Sequence, residues 1–182
     1  MKPKLLLHSC CAPCSIYVIE KLAQQFKITV FFYDPNVHPR KEYILRRDEM
    51  KNYAKKIGLD FEEGDYQTKD WFDKAQGLES EPEKGRRCEM CFDLRLSKTA
   101  VKARVEEYDA FATVLSISPH KDYQQISVIG NKLAHQFGIN FLDRDWKKKN
   151  GFKIATKMSK EQNFYRQDYC GCIYSKKQQK VI

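Results

Sequence analysis

The sequence predicts one α/β domain, a mostly parallel sheet with helices on both faces and a basic helical C-terminal part. Three observations carry that expectation. Short apolar runs alternate with stretches whose apolar residues recur at helical spacing, the pattern a parallel sheet requires. The 182 residues, 42% hydrophobic and 31% charged, suit a single folded unit with a sizeable core. No repeat or low-complexity segment interrupts the alternation.

"KLLLHS" at 4–9 reads as a buried strand, and a helix over about 14–26 follows with Val18, Ile19, Leu22, Ala23 and Phe26 on one face. "KITVFFYD" at 27–34 is the second strand. The turn signal "DPNVHP" precedes a helix over about 40–57, with Ile44, Arg47, Met50, Ala54 and Ile57 at helical spacing and Gly58 as its stop. "LDFEEGD" is a short third strand. A loop rich in Gly, Glu and Pro at 77–85 leads into a long helix over about 88–107. "AFATVLS" at 110–116 is the fourth strand. A helix over 122–137 then sets Ile126, Ile129, Leu133, Ala134 and Phe137 on one stripe, and Gly138 ends it. "INFLD" at 139–143 is the fifth strand. Residues 1–143 thus form the α/β core, with right-handed crossovers, and 144–182 pack on it as a basic extension. Ligands of such sheets bind beyond the carboxyl ends of the strands. "SCCAPCS", "YDPNVHP" and "SISPHKD" all lie there, so these three loops are expected to converge on one site.

The charge is lopsided. Residues 144–182 hold 11 Lys/Arg against 3 Asp/Glu, eight of the nine net positive charges. A solvated lysine-rich face accounts for this, and so does a surface for a polyanion such as RNA. Trp146, Phe152, Phe164 and Tyr165 interleave the charges as base-stacking residues would. No apolar stretch approaches the ~20 residues of a membrane span. The three leucines near the start are too short for a signal-peptide core, so the expected location is the cytoplasm. Cysteines in that reducing compartment bind metal or do redox chemistry more often than they form structural disulfides.

Three of the seven cysteines, Cys10, Cys11 and Cys14, crowd the turn from the first strand into the first helix. Cys88 and Cys91 in "GRRCEMCFDLR" form a C-x-x-C at the start of another helix. Helix N-termini favour thiolates. Two such pairs make a four-thiolate site for zinc or an iron–sulfur cluster, and spacing alone would join Cys11 and Cys14 to Cys88 and Cys91. A position where substrates bind, together with the additional Cys10, argues against a purely structural zinc. In "YCGCIY" a single glycine separates Cys170 and Cys172, which permits a strained, labile disulfide; two further metal ligands are the alternative.

Weaker signals are His38 and His120 on the site loops, Asp34 at the end of the second strand as a metal ligand or a turn cap, and Arg86 and Arg87 as phosphate holders or solubilising charges. His135, on a helix, reads as structural. No G-x-G-x-x-G fingerprint appears, so no tightly bound flavin or nicotinamide is expected.

Taken together, "LLLHSCCAPCS", "FYDPNVHP", "EYILRRDEM", "RCEMCFDLRL", "LSISPHKD" and "FYRQDYCGCIYS" resemble the QueH-type epoxyqueuosine reductases, in order, from about Leu5 to Ser175. The strand–turn–helix start also resembles the adenine-nucleotide α-hydrolase (PP-loop/HUP) fold, with cysteines where the glycine-rich phosphate loop would be. The resemblance implies reduction of the epoxide of epoxyqueuosine, at the tRNA wobble position, to the alkene of queuosine, with two electrons, two protons and loss of water. It implies a [4Fe–4S] cluster on Cys10, Cys11, Cys88 and Cys91, a redox-active pair at Cys170 and Cys172, and an adjacent mononuclear iron for which Cys14 is the candidate ligand. This mapping uses Cys10 where spacing prefers Cys14. The partners it implies are tRNA carrying epoxyqueuosine and an electron donor that the sequence leaves unidentified. Two rival readings are a PP-loop-type tRNA thiolation enzyme, which needs the phosphate loop that "CCAPCS" replaces, and a zinc-stabilised RNA-binding module without catalysis.

Overall fold

Leu5, Leu6 and Leu7 are fully buried and form the middle of the sheet. Their strand, β1 (Lys4–Ser9), pairs in parallel with β2 (Lys27–Phe32) on one side and β4 (Ala110–Thr113) on the other. Leu7 stands opposite both Val30 and Ala112. β3 (Asp60–Glu63) adds outside β2 and β5 (Asn140–Phe141) outside β4, giving a five-stranded, all-parallel sheet of order β3-β2-β1-β4-β5. These facts come from a computed structural model that describes residues 1–179. Lys180, Val181 and Ile182, the end of the basic segment, lie outside the described residues.

Seven helices accompany the sheet among the described residues: α1 (Ala12–Leu22), α2 (Arg40–Lys56), α3 (Thr68–Ala75), α4 (Arg86–Val105), α5 (Tyr123–Phe137), α6 (Gly151–Glu161) and α7 (Ile173–Gln179). α1 packs against α2 and α6, while α4 packs against α5, so the helices form two layers around an apolar sheet, as the alternation predicts. The strand order turns back between β1 and β4. That switch point is where an open α/β sheet leaves a crevice for ligands.

Several boundaries differ from the sequence expectation, each for a local reason. α1 begins at Ala12 rather than 14, because Pro13 sits in its first turn, where a missing N–H goes unused. It stops at Leu22, leaving Ala23 and Phe26 beyond its end. β4 ends at Thr113, and Leu115–Ile117 tighten into a 3-10 turn whose Leu115 N–H donates to Thr113 Oγ1 (3.1 Å). α4 starts two residues early, at Arg86, after Gly85 as cap. α3 went unforeseen, since only Trp71 and Ala75 of its eight residues are buried and no stripe shows in the sequence.

The expected face of α2 holds for Met50 and Ala54 but not for Ile44 and Ile57. Its buried residues are Tyr43, Arg46, Met50 and Ala54, whereas Ile44 and Ile57 are exposed. A buried arginine defeats a reading based on apolar periodicity. Arg46 is buried because its guanidinium donates to the carbonyls of Tyr169 and Cys170 (both 3.1 Å) and pairs with Glu42 (2.8 Å). The basic segment is likewise more committed to packing than its charges suggest. Trp146 belongs to the core and its indole N–H donates to the Thr113 carbonyl (3.0 Å), while Phe164 packs edge-on against Tyr53. Phe152 and Tyr165 are the two aromatics of that segment that remain exposed as expected. Among the described residues no helix is long and apolar enough to cross a membrane.

Candidate metal and redox centre

Cys10 follows β1 directly, Cys11 caps α1 with an extended backbone, and Cys14 lies in the helix's first turn. The strand end and the helix start therefore aim three sulfurs into the same space. All three Sγ atoms lie within 4.8 Å of one another, Cys10 and Cys11 being 4.0 Å apart, and no fourth Cys, His, Asp or Glu joins them at that separation among the described residues. Hydrogen bonds from the Cys11 and Cys14 thiols, helped by the charges of Lys121 and Arg95, pull the Cys10 thiol well below its ordinary pKa. The donors shift the other way: Cys11 lies well above its ordinary value, and the bond to Cys10 raises Cys14 to about 12. The group thus favours one thiolate at neutral pH, and a metal ion would draw out the rest.

Lys121 completes this arrangement. Burial works to lower its ammonium's pKa, but the sulfurs of Cys10, Cys14 and Cys170 outweigh that and raise it. The sequence reading stopped one residue short, at His120. That side chain is mostly exposed, 3.7 Å from Glu83, while Lys121 turns inward. The signal was present in "SISPHKD", since a lysine beside a thiol cluster supplies charge compensation that a solvated histidine does not.

Cys88 and Cys91 come from the first two turns of α4 and line one cavity with Cys170 and Cys172. Cys91 and Cys172 share an apolar cluster with Trp71 and Ala75, against which Cys170 packs. A cavity of about 30 Å³ lies between Cys88, Cys91, Cys170, Cys172, Asn36 and Trp71. Burial raises Cys88 to about 11 and raises Cys91 too. The last two cysteines are free thiols joined by a hydrogen bond. Cys172 donates and is raised, while Cys170 accepts and is lowered to about 5. Gly171 between them has φ +106°, and a Cβ there would stand 2.7 Å from Val37 Cγ2, so the spacer has to be glycine.

Arg95, on α4, links the two groups. Its guanidinium pairs with Asp34 and bonds the Cys91 sulfur, and both it and Asp34 are buried. Asp34 is therefore the counter-ion of Arg95, not a simple turn cap. Burial pushes its carboxyl up to about 7 against the pull of Arg95, whose own charge persists at any ordinary pH. His8, fully buried, sits between Thr113 Oγ1 (2.9 Å) and the Tyr33 carbonyl (3.3 Å), and burial lowers it to about 3.

The remaining candidates sort differently. Arg87 is 1% exposed and donates to the carbonyls of Leu78, Glu79 and Glu81, so it secures the preceding loop and is not open to a phosphate; Arg86 is exposed. His38 is buried against Trp71 and Phe72, and its backbone N–H donates to the Gly171 carbonyl (2.8 Å). His135 is an exposed residue of α5 rather than a core one.

The three expected loops do converge. A cleft of about 230 Å³ opens at the switch point, lined among others by Cys14, Ser118, Lys121, Gln167 and Cys170. It shares Lys121 and Cys170 with the smaller cavity, where Asn36 represents the "YDPNVHP" loop.

Comparison with known proteins agrees with this picture. A family model described as epoxyqueuosine reductase QueH matches residues 5–178. Epoxyqueuosine reductase QueH of Haemophilus influenzae is 46% identical over 174 residues, covering 94% of this chain and 71% of the relative. The protein of that name from Streptococcus pyogenes is 42% identical, covering 100% and 73%. Two solved structures share the fold at low identity. One is a "predicted subunit of tRNA methyltransferase" from Methanocaldococcus jannaschii, with TM-score 0.56 and 15% identity over 86% of this chain and 75% of that one. The other is the U34-tRNA thiolase NcsA of Methanococcus maripaludis with its [4Fe-4S] cluster, with TM-score 0.55 and 12% identity over 96% and 62%.

Proposed function

The chain belongs to the epoxyqueuosine reductase QueH family, and from that premise we propose that it reduces the epoxide of epoxyqueuosine at the wobble position of tRNA, using an iron–sulfur centre held by its cysteines. The observation that carries this reading is the pairing of two thiol groups at one switch-point crevice, a three-sulfur cluster and a hydrogen-bonded dithiol.

The donor set fits such a centre: sulfurs at helix starts, with Cys10, Cys11 and Cys91 buried and Cys14 and Cys88 partly so, one already favouring the thiolate, and a raised ammonium near the first group. The ligands we assign are Cys10, Cys11, Cys88 and Cys91 for a [4Fe–4S] cluster, with Cys14 for an adjacent iron. When bound, iron–sulfur chemistry supplies electrons one at a time and a Lewis acid for the epoxide oxygen. The chain's own groups supply the rest. Lys121 Nζ offsets the negative charge of the thiolates, and Arg95 holds α4 against the end of β2 through Asp34.

The reaction breaks both C–O bonds of the epoxide, forms a C=C bond and releases the oxygen as water, consuming two electrons and two protons. Oxidation of the Cys170 thiolate and Cys172 thiol to a disulfide releases two electrons and one proton, solvent supplies the second proton of the turnover, and an external donor then restores the pair. The exposed Lys148, Lys149 and Lys153 would contact anticodon-stem phosphates, with Phe152 and Tyr165 near them as stacking surfaces. Lys147 is less available, since its ammonium donates to the Lys121 carbonyl (3.2 Å).

The test is an anaerobic reaction of iron-loaded protein, a chemical reductant and tRNA carrying epoxyqueuosine, read by nucleoside mass spectrometry. Conversion to queuosine is expected; intact epoxide after prolonged incubation would reject the reading.

A further inference from the structure

Two side chains lining the larger cleft carry buried polar atoms with no hydrogen-bond partner among the described residues, Ser159 Oγ and Gln167 Oε1. Ser159 is 0% exposed, on α6. Leaving such an atom unsatisfied costs about 1–3 kcal/mol, and native proteins retain few of them. Two in one cleft beside the thiol cluster mark a place where a ligand completes the bonding.

Gln167 also defines the ligand's chemistry. Its amide Nε2 donates to Cys11 Sγ (3.0 Å). A sulfur bound to metal only accepts, so the NH₂ end is held at Cys11 and the carbonyl end is left as a pure acceptor. Its partner must therefore bring an N–H or O–H. A phosphate diester has neither, and Glu83 on the cleft wall disfavours an anion further. Of the cations on that wall, Lys121 is already engaged by three sulfurs, and Arg166 shares the lining with a second carboxylate, Asp168.

We infer that Ser159 and Gln167 form a subsite for hydrogen-bond donors on the epoxide-bearing ring of the wobble nucleoside, and that Gln167 couples its occupancy to Cys11. The inference rests on the proposed function. A donor bonded to Gln167 Oε1 polarises the amide and strengthens its N–H···S bond at the other end, so binding is felt at the metal centre. This makes Gln167 a specificity-determining residue, separate from the lysines that would hold the phosphates.

The experiment uses the iron-loaded protein, kept anaerobic, and two anticodon stem-loop RNAs, one with epoxyqueuosine and one with guanosine at the wobble position. Gln167→Met should weaken binding of the epoxyqueuosine RNA about tenfold and Ser159→Ala about threefold, with the guanosine RNA bound as before. The visible spectrum of the wild-type metal centre should shift on adding the epoxyqueuosine RNA alone, and the shift should vanish in Gln167→Met. If Gln167→Met loses iron, Ser159→Ala, whose hydroxyl bonds no cysteine among the described residues, decides the question. Unchanged affinities in these variants would mean that solvent alone satisfies the two atoms, and the inference falls. A spectrum indifferent to the epoxyqueuosine RNA overturns the coupling. Either failure leaves the proposed function standing so long as the wild type reduces the epoxide; a wild type that cannot reduce it brings down both.

Discussion

The two thiol groups are built by opposite means. Cys10, Cys11 and Cys14 fall within five positions, and the parallel register of β1 together with the start of α1 fixes them. Cys88, Cys91, Cys170 and Cys172 come from α4 and from a loop far along the chain, which buried polar contacts hold in place. Arg46 grips the carbonyls of Tyr169 and Cys170, His38 N–H holds the Gly171 carbonyl, and Tyr169 Oη donates to the His38 carbonyl. Secondary structure secures the first group. The second depends on single side chains, so it is the one that a substitution or a change of pH can loosen separately.

The largest effect tests whether one cluster spans both groups. Cys10→Ser, Cys11→Ser, Cys88→Ser and Cys91→Ser should each abolish the iron and sulfide content of anaerobically purified protein. If Cys88→Ser and Cys91→Ser keep full iron while Cys14→Ser loses it, the centre belongs to the first group alone and the assigned ligand set is wrong. Iron lost from Cys170→Ser or Cys172→Ser would turn the proposed redox pair into ligands.

Next in size is Arg46→Met, which leaves two buried carbonyls and a partner carboxylate without their donor. A loss of about 3–5 kcal/mol is expected, measured by urea denaturation. In iron-free protein, Cys170 and Cys172 should then alkylate much faster while Cys10 and Cys11 stay protected. Equal acceleration in both groups would show that Arg46 supports the whole fold rather than the second group.

The same contrast explains what the sequence made legible. β1, β2 and the crowded β1–α1 turn are local features, visible as an apolar run and a cysteine motif, and the alternation around them carried the parallel fold. Arg46, Arg95 and Lys121 were not legible, because each is buried or turned inward by partners distant in the chain, Tyr169 and Cys170 for the first and Asp34 for the second. Apolar periodicity counts an arginine as surface. Gln167 lay within a quoted motif, yet its contact with Cys11 spans 156 positions and has no local signature. The reach of Trp146 into the core escaped for the same reason, since the basic residues around it read as surface.

Within the second group, the two C-terminal cysteines should differ in reactivity by more than a hundredfold. At pH 7 Cys170, lowered to about 5 by the hydrogen bond from Cys172, is almost wholly thiolate, while the raised Cys172 stays a thiol. Peptide mapping after brief iodoacetamide treatment of iron-free protein should find Cys170 labelled first. Labelling of Cys172 first would mean that Cys172, not Cys170, carries the thiolate.

The smallest effect concerns acid. Burial, in the contact with Trp71 and Phe72, lowers His38 to about 4, whereas in the unfolded chain it titrates near 6.5. Between those values the unfolded state binds the proton and the native state does not. His38's contribution to stability is therefore complete above about pH 6.5 and declines as the pH falls toward 4, reaching about 2 kcal/mol lost by pH 5. His8, lowered to about 3, acts in the same sense, and Asp34, raised to about 7, in the opposite one. The comparison of wild type with His38→Gln cancels both. The wild type should lose stability relative to the variant by about one proton's slope from pH 6.5 to 5 in urea titrations of iron-free protein. Because the His38 ring packs on Trp71, which shares an apolar cluster with Cys91 and Cys172, acidification should raise the alkylation of Cys172 before that of Cys10. Parallel pH curves for the two proteins would mean that the His38 ring is protonated as readily in the fold as outside it, and the second group would then be no more sensitive to acid than the first.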